Sequence, residues 1–349
     1  MIIRSLIIPI VIIASILTIT IYSLPAFGFV VLPKVSNNDD IANELLIAAR
    51  WTNVSKSLVN QNFRGLGGGI EYAIAPSFCS QILPRFIDRP QPSCEEIQQS
   101  IQQTFDIWAQ GHPILKFVNV SSLIKTQLDK TLFNLEKNTD RQQFFGAEID
   151  LFALSQEVIF IPFRGIAYTY SAFSLREKPF STNNHQIDGG TIMSADIIFN
   201  LGKCYYLTND SANQFCNHFT TVLLHEIGHA LGLDHPDENR LHNFDTDNNP
   251  KNEIVINCQN QLQGLKPSQN IDPQAVMNSK LEEAAPIKLA LSFDDLGGRD
   301  FLYPICIAGK DKYPIQWQFL VIWIGGILSI VLAAYKYERY ISRKRTKIY

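Results

Sequence analysis

The sequence predicts an α+β domain, a mixed twisted β-sheet with helices packed on it, followed by a C-terminal transmembrane helix. Three observations carry this. Short apolar or alternating runs at residues 70–76, 114–120, 147–153, 165–172 and 191–199 read as strands. Together with the helical stretches they give the order strand, helix, four strands, helix, irregular region, helix, which implies a mixed sheet rather than a bundle or sandwich. The second helix carries H-E-x-x-H-x-x-G-x-x-H at residues 225–235. The third observation is residues 315–335, an uncharged apolar run long enough to cross a bilayer.

From the N-terminus, no charged residue lies between Arg4 and Lys34, and residues 6–21 are almost wholly apolar. Two readings stay open for residues 1–35. A charged start, an apolar stretch, Pro25 and then Ala26-Phe27-Gly28 fit a secretory signal cleaved after Gly28. The same apolar run also suffices as an uncleaved N-terminal membrane anchor. Residues 36–68 form a polar approach, a stalk or a pro-segment, with a helix expected over 39–51 and a glycine-rich boundary at Arg64-Gly65-Leu66-Gly67-Gly68-Gly69. This approach contains no cysteine that could cap a metal. The main domain then runs over 69–305, enough chain for one sizeable core. Within it Ile97, Ile101, Phe105 and Trp108 recur at intervals of four, four and three, the signature of an amphipathic helix with one buried stripe. Six cysteines all fall in the portion expected outside the cytoplasm, which suggests disulfides, and pairing sequence neighbours gives 79–94, 204–216 and 258–306.

The histidine string is the strongest chemical signal. On a helix, positions four apart share a face, so His225 and His229 can offer imidazole nitrogens to one metal ion. Glu226 lies one step round, where its carboxylate can reach a water at that metal without ligating it. Gly232 lets the backbone leave the helix, and the turn returns His235 as a third ligand, the donor set of a catalytic zinc site with an open fourth position. With seven histidines in 349 residues, the full string is expected by chance on the order of 10⁻⁵ times per such chain.

That string, followed by Ala275-Val276-Met277-Asn278, resembles the metzincin zinc metallopeptidases, in which a methionine turn underlies three histidines. The surroundings resemble the matrixin branch, the catalytic domain of matrix metalloproteinase type. Leu291-Ser292-Phe293-Asp294-Asp295-Leu296, with Gly298 and Phe301-Leu302-Tyr303, resembles its C-terminal helix with paired aspartates. Ile70-Glu71-Tyr72-Ala73-Ile74 resembles the first strand, residues 96–108 and Leu115-Lys116-Phe117 the first helix and second strand, residues 146–152 the third strand, and Ala195-Asp196-Ile197-Ile198-Phe199-Asn200 the strand before the active-site helix. The resemblance spans residues 69–303. It implies one catalytic zinc on His225, His229 and His235, Glu226 as general base, and Met277 as a hydrophobic floor. It also implies that Asp294 and Asp295 tie the last helix to the methionine turn and to the mature N-terminus; an S-x-x-D cap from Ser292 to Asp295 is the competing explanation. Family members also bind structural calcium. In this chain Asp245-Thr246-Asp247-Asn248-Asn249 has alternating oxygen ligands but falls short of a full calcium loop.

The chain also departs from the family. Pro236 follows the third histidine as in serralysins, where matrixins carry serine, and Ser279 stands where serralysins and astacins place a tyrosine near zinc. His185 and His218 do not reproduce a second, structural zinc site, and with His112 and His242 they read as surface or packing residues. A long insertion containing Cys258 separates His235 from Met277 and is expected to wall the cleft.

Beyond residues 315–335 the tail 336–349 carries Lys336, Arg339, Arg343, Lys344, Arg345 and Lys347, which places it in the cytoplasm and the main domain outside. A net charge of −3 gives no electrostatic footprint for nucleic acid. The expected partners are the lipid bilayer and protein or peptide substrates near the membrane surface. The expectation is therefore a membrane-anchored zinc endopeptidase; the alternative is a non-catalytic, surface-tethered recognition module on the same fold. Loss of the base or of a ligand would mark the module, and all four residues are present.

Overall fold

The computed structural model describes residues 29–32, 45, 48–52, 66, 69–123, 147–155, 165–173, 180–182, 185–187, 190–209, 215–238, 242–245, 266–268, 270–279 and 287–304. Residues 1–28, both apolar candidate membrane segments, the basic tail, Cys258, Cys306 and most of the insertion lie outside these. Among the described residues no helix is long and apolar enough to cross a membrane.

Five strands form the central sheet in the order β3-β2-β4-β8-β5. They are β2 (Ile70–Ile74), β3 (Phe117–Asn119), β4 (Ile149–Leu154), β5 (Ala167–Phe173) and β8 (Ile192–Asn200). The first four in that order run parallel, with Ile70 opposite Phe117, Tyr72 opposite Ile149 and Ile149 opposite Ala195. Only β5 is antiparallel, pairing Ala167 with Phe199. A parallel strand is covered on both faces, and every residue of β4 is buried accordingly. The five strands expected from the sequence are these five, each within a few residues.

Two long helices cover one face. α2 (Cys94–Ala109) starts in a full capping box: Ser93 accepts from the Glu96 amide while Glu96 accepts from the Ser93 amide at 2.7 Å. Its stripe of Ile97, Ile101, Phe105 and Trp108 is wholly buried. α3 (Phe219–Ala230) packs beside it. Trp108 donates its indole N–H to the Leu224 carbonyl at 2.8 Å, and Ser100 and Thr220 hydroxyls meet at 2.8 Å. Underneath, Phe219 stacks on Phe199 of β8 with ring centres 4.9 Å apart. A short α1 (Phe78–Ile82) is tied to the start of α2 by Cys79–Cys94, and Cys204–Cys216 closes the loop between β9 (Tyr205–Tyr206) and β10 (Asn217–His218) just before α3. These are two of the expected bridges. The last helix, α4 (Phe293–Leu302), is capped by Ser292 and Asp295 as its S-x-x-D sequence suggests.

The core reaches upstream of Gly69, where the sequence suggested a polar approach. β1 (Val30–Val31) pairs antiparallel with β11 (Leu233–Asp234), and the Leu32 amide donates to the Gly232 carbonyl at 2.8 Å. Ala48, Ala49 and Trp51 are fully buried. The helix expected over residues 39–51 does not extend through its C-terminal part, because the chain at Ala49 and Arg50 is extended and donates to Leu32 and Gly190 carbonyls. Trp51 then donates its indole N–H to the Ala230 carbonyl at 2.9 Å, and the Tyr303 hydroxyl donates to Leu231 O at 2.7 Å. Carbonyls left over at the end of α3 are thus satisfied by residues from both ends of the domain.

Buried His112 fixes the turn after α2. Its Nδ1 accepts from the Leu115 amide, so Nε2 carries the proton and donates to Tyr303 O at 2.8 Å. Burial first, and Arg299 second, hold its pKa down at about 4, against the opposing hydrogen bond to Tyr303. An unfolded chain therefore takes up this proton more readily than the folded one. Stability is present above pH 6.5 and is lost as the pH falls towards about 4, by on the order of 1–2 kcal/mol from this residue. Denaturant titrations at pH 7 and 4.5 should show a shallower pH dependence in His112→Gln, whose amide keeps one donor and one acceptor.

Candidate active site

α3 is buried on nearly every side, and its apolar residues Leu223, Leu224 and Ile227 anchor it in the core. It is capped by His218, whose Nδ1 accepts from the Thr221 amide at 3.2 Å and whose Nε2 lies 3.2 Å from Leu207 O, so this histidine is a packing residue. Two turns later His225, Glu226 and His229 emerge at the cleft. The helix stops after Ala230, and Gly232 at φ +103° swings the chain into β11, which delivers His235.

The three Nε2 atoms converge at separations of 3.1, 3.1 and 3.0 Å. Each ring is oriented from behind. His225 Nδ1 donates to Val276 O at 2.8 Å, His229 Nδ1 to Leu233 O at 2.8 Å, and His235 Nδ1 meets a Glu238 carboxylate oxygen at 3.3 Å. A carbonyl can only accept, so in His225 and His229 the proton sits on Nδ1 and Nε2 presents a lone pair. Burial first, then the two neighbouring rings, keeps the His225 pKa well below the ordinary histidine value. Three inward lone pairs about 3 Å apart repel one another unless a cation lies among them. Zinc–nitrogen bonds of 2.0–2.1 Å in a tetrahedral site put nitrogens roughly 3.3 Å apart, so the donor set fits zinc in number, chemistry and spacing. Carbonyl and carboxylate partners behind the ligands are the usual outer shell of such a site. Among the described residues this is the one cluster of three or more such side chains able to hold a metal.

Glu226 is 5% exposed beside these rings. Burial raises its pKa to about 7, opposed by a hydrogen bond from the Thr169 hydroxyl. The site opens into a cleft of about 530 Å³ that runs along Gly165, Ile166 and the β5 residues Ala167 to Ser171 and includes Leu32 and Ser279 in its walls.

Met277, 3% exposed, packs against Gly228 of α3, between the first two histidines in sequence. A Cβ on Gly228 would lie 2.2 Å from its Sδ and 2.9 Å from the Trp108 ring, so only glycine lets the methionine turn press against α3 here. The turn itself is held by Asp295, whose two oxygens accept from the Val276 and Met277 amides at 2.8 and 3.1 Å. The same carboxylate caps α4 through the Ser292 amide at 2.8 Å, so Asp295 both caps the helix and ties it to the methionine turn. Asp294 and Asp295 share a small cavity with Phe29, and the Phe29 ring packs on Phe301 at 5.3 Å.

Several contributors escaped sequence reasoning. Asp237 clamps Ser279 through both its amide (2.7 Å) and its hydroxyl (2.8 Å), joining the third-ligand loop to the methionine turn where other branches place a tyrosine. The acidic pair directly after Pro236 was the available signal. Thr169 left none, being one polar residue between two tyrosines on a strand.

The arrangement narrows the class before any comparison. Three imidazoles with converging Nε2 atoms and a buried carboxylate next to the first of them, facing a cleft along the antiparallel edge of a mixed sheet, are the donor set and setting that a zinc metallopeptidase of metzincin type requires. The matrixin family model matches residues 85–256. This chain carries a matrixin-like metzincin catalytic domain, and residues 275–278 and α4 lie beyond the matched stretch. No curated protein shows a significant match to the chain.

Proposed function

We propose that the protein is a membrane-anchored zinc endopeptidase that hydrolyses peptide bonds of extracytoplasmic proteins, with His225, His229 and His235 as zinc ligands and Glu226 as general base. The observation that carries this reading is the convergence of three Nε2 lone pairs beside the Glu226 carboxylate inside an open cleft. Two disulfides favour an oxidising compartment, and the apolar runs at 6–21 and 315–335 with the basic tail favour attachment to a bilayer. The expected partners are the lipid bilayer and proteins or peptides close to its surface.

Zinc, when bound, supplies Lewis acidity that polarises a peptide carbonyl and brings the pKa of a water from about 15.7 towards 7. The chain's own groups do the rest. Glu226 takes a proton from the attacking water onto a carboxylate oxygen as the new C–O bond forms. It then delivers that proton to the leaving amine nitrogen as the C–N bond breaks. Backbone groups along β5, the edge strand of the sheet, can pair with an extended polypeptide and hold it across the cleft.

The test is metal-dependent cleavage. Full-length protein in detergent should cut an unfolded protein substrate, lose at least about 10³-fold in rate when a chelator strips the metal, and recover on zinc addition. A protein loaded with one zinc per chain that cuts no polypeptide would leave a recognition module on this fold and overturn the peptidase reading.

A further inference from the structure

β5 alternates. Tyr168 and Tyr170 are 44% and 45% exposed on one side, and Thr169 between them turns the other way, towards α3. Its hydroxyl lies 2.6 Å from Glu226 Oε2 and 3.0 Å from the Glu226 main-chain carbonyl. Both acceptors belong to one residue, fifty-seven positions away in sequence. An O–H donor at 2.6 Å from a carboxylate oxygen has the length of a charge-assisted bond.

We infer that Thr169 is a positioning residue: its hydroxyl pins one carboxylate oxygen of Glu226, so that the other is held towards the point where the three imidazoles converge. This rests on the peptidase reading above and adds a residue to it. A glutamate side chain has three rotatable bonds, and neither helix geometry nor the apolar surroundings alone choose among its staggered positions. A general base must be held within a fraction of an ångström of the proton it takes, and an error of about 1 Å costs on the order of 10²-fold. The substrate-side strand therefore fixes the geometry of the base as well as that of the polypeptide. Because Thr169 belongs to the strand that would pair with a bound chain, any displacement of β5 also moves the anchor of Glu226.

The test uses Thr169→Val and Thr169→Ser in the full-length protein. Valine matches threonine in shape and suits a strand, so the fold is retained. Expected for valine is a fall in kcat of about 10- to 100-fold with KM unchanged within about twofold and one zinc still bound per chain, while serine returns kcat to within about threefold. A second readout needs no activity. Valine should lower Tm by about 3 °C in the native background, because a buried carboxylate loses its donor, and by less than about 1 °C in Glu226→Ala. Native kcat in the valine variant, or an equal Tm penalty in both backgrounds, overturns the inference. A native protein that cleaves nothing overturns the peptidase reading instead, and the Tm comparison still judges the Thr169–Glu226 contact.

Discussion

Glu226→Gln is expected to lower peptide cleavage by about 10³-fold while one zinc per chain stays bound, within the range set by general acid–base catalysis. Glutamine has nearly the shape of glutamate, and its amide oxygen can still accept the Thr169 hydroxyl, which lies 2.6 Å from Glu226 Oε2. What it lacks is the ability to take a proton from water at neutral pH. None of the three Nδ1 partners that orient the imidazoles involves this side chain, so metal affinity is expected to remain within a few-fold of native. Melting temperature should hold or rise, because a neutral amide is cheaper to bury than a carboxylate whose pKa burial raises to about 7. Steady-state cleavage, metal content and thermal melting measured together check all three. Full peptidase activity in this variant would show that the general base has been misassigned.

The convergence of the histidines could be read from sequence because it is local. His225, Glu226 and His229 are fixed by helix geometry, and Gly232 by the need for a positive φ, so spacing alone predicts their convergence. The strands and α2 were legible for a related reason: periods of two and of about 3.6 residues survive in the chain. Two kinds of feature did not survive. Contacts between distant elements, such as Thr169 to Glu226, depend on how β5 packs over α3, and no periodicity encodes that. The other kind is the N-terminal part of the core. Phe29-Val30-Val31-Leu32 lies in the same uncharged stretch as the longer apolar run at 6–21, and burial in lipid or in protein demands the same composition. Ala48, Ala49 and Trp51 close a short apolar run, Leu45-Leu46-Ile47-Ala48-Ala49-Arg50-Trp51, set between polar stretches, and such a run reads equally well as a helix in an approach segment. Their hydrogen bonds to Leu32, Tyr303 and Ala230 are what identify them as core.

Gly232→Ala is expected to cost at least about 4 kcal/mol of stability, or about 10 °C in Tm, and to weaken zinc binding at least about tenfold. Two effects combine. At φ +103° an alanine is strained by roughly 1–2 kcal/mol whatever surrounds it. The added Cβ would also fall 1.9 Å from the carbonyl oxygen of Ala49, well inside van der Waals contact and against backbone rather than a side chain that could turn aside. Relief requires residues 48–52 to move out or the Gly232 turn to open. Outward movement breaks the Trp51 bond to Ala230, and opening breaks the Gly232 carbonyl's bond from Leu32. Either route shifts β11, and with it His235, away from the other two imidazoles. Gly111→Ala is the control: φ is +71° there, but a Cβ would meet nothing within 4 Å, so only the backbone strain of about 1–2 kcal/mol is expected and zinc affinity stays native. Denaturant melts of both variants with and without zinc, alongside competition titrations of metal affinity, measure the comparison. Equal losses in the two variants would show that positive φ alone governs the turn and that residues 48–52 do not brace the third ligand.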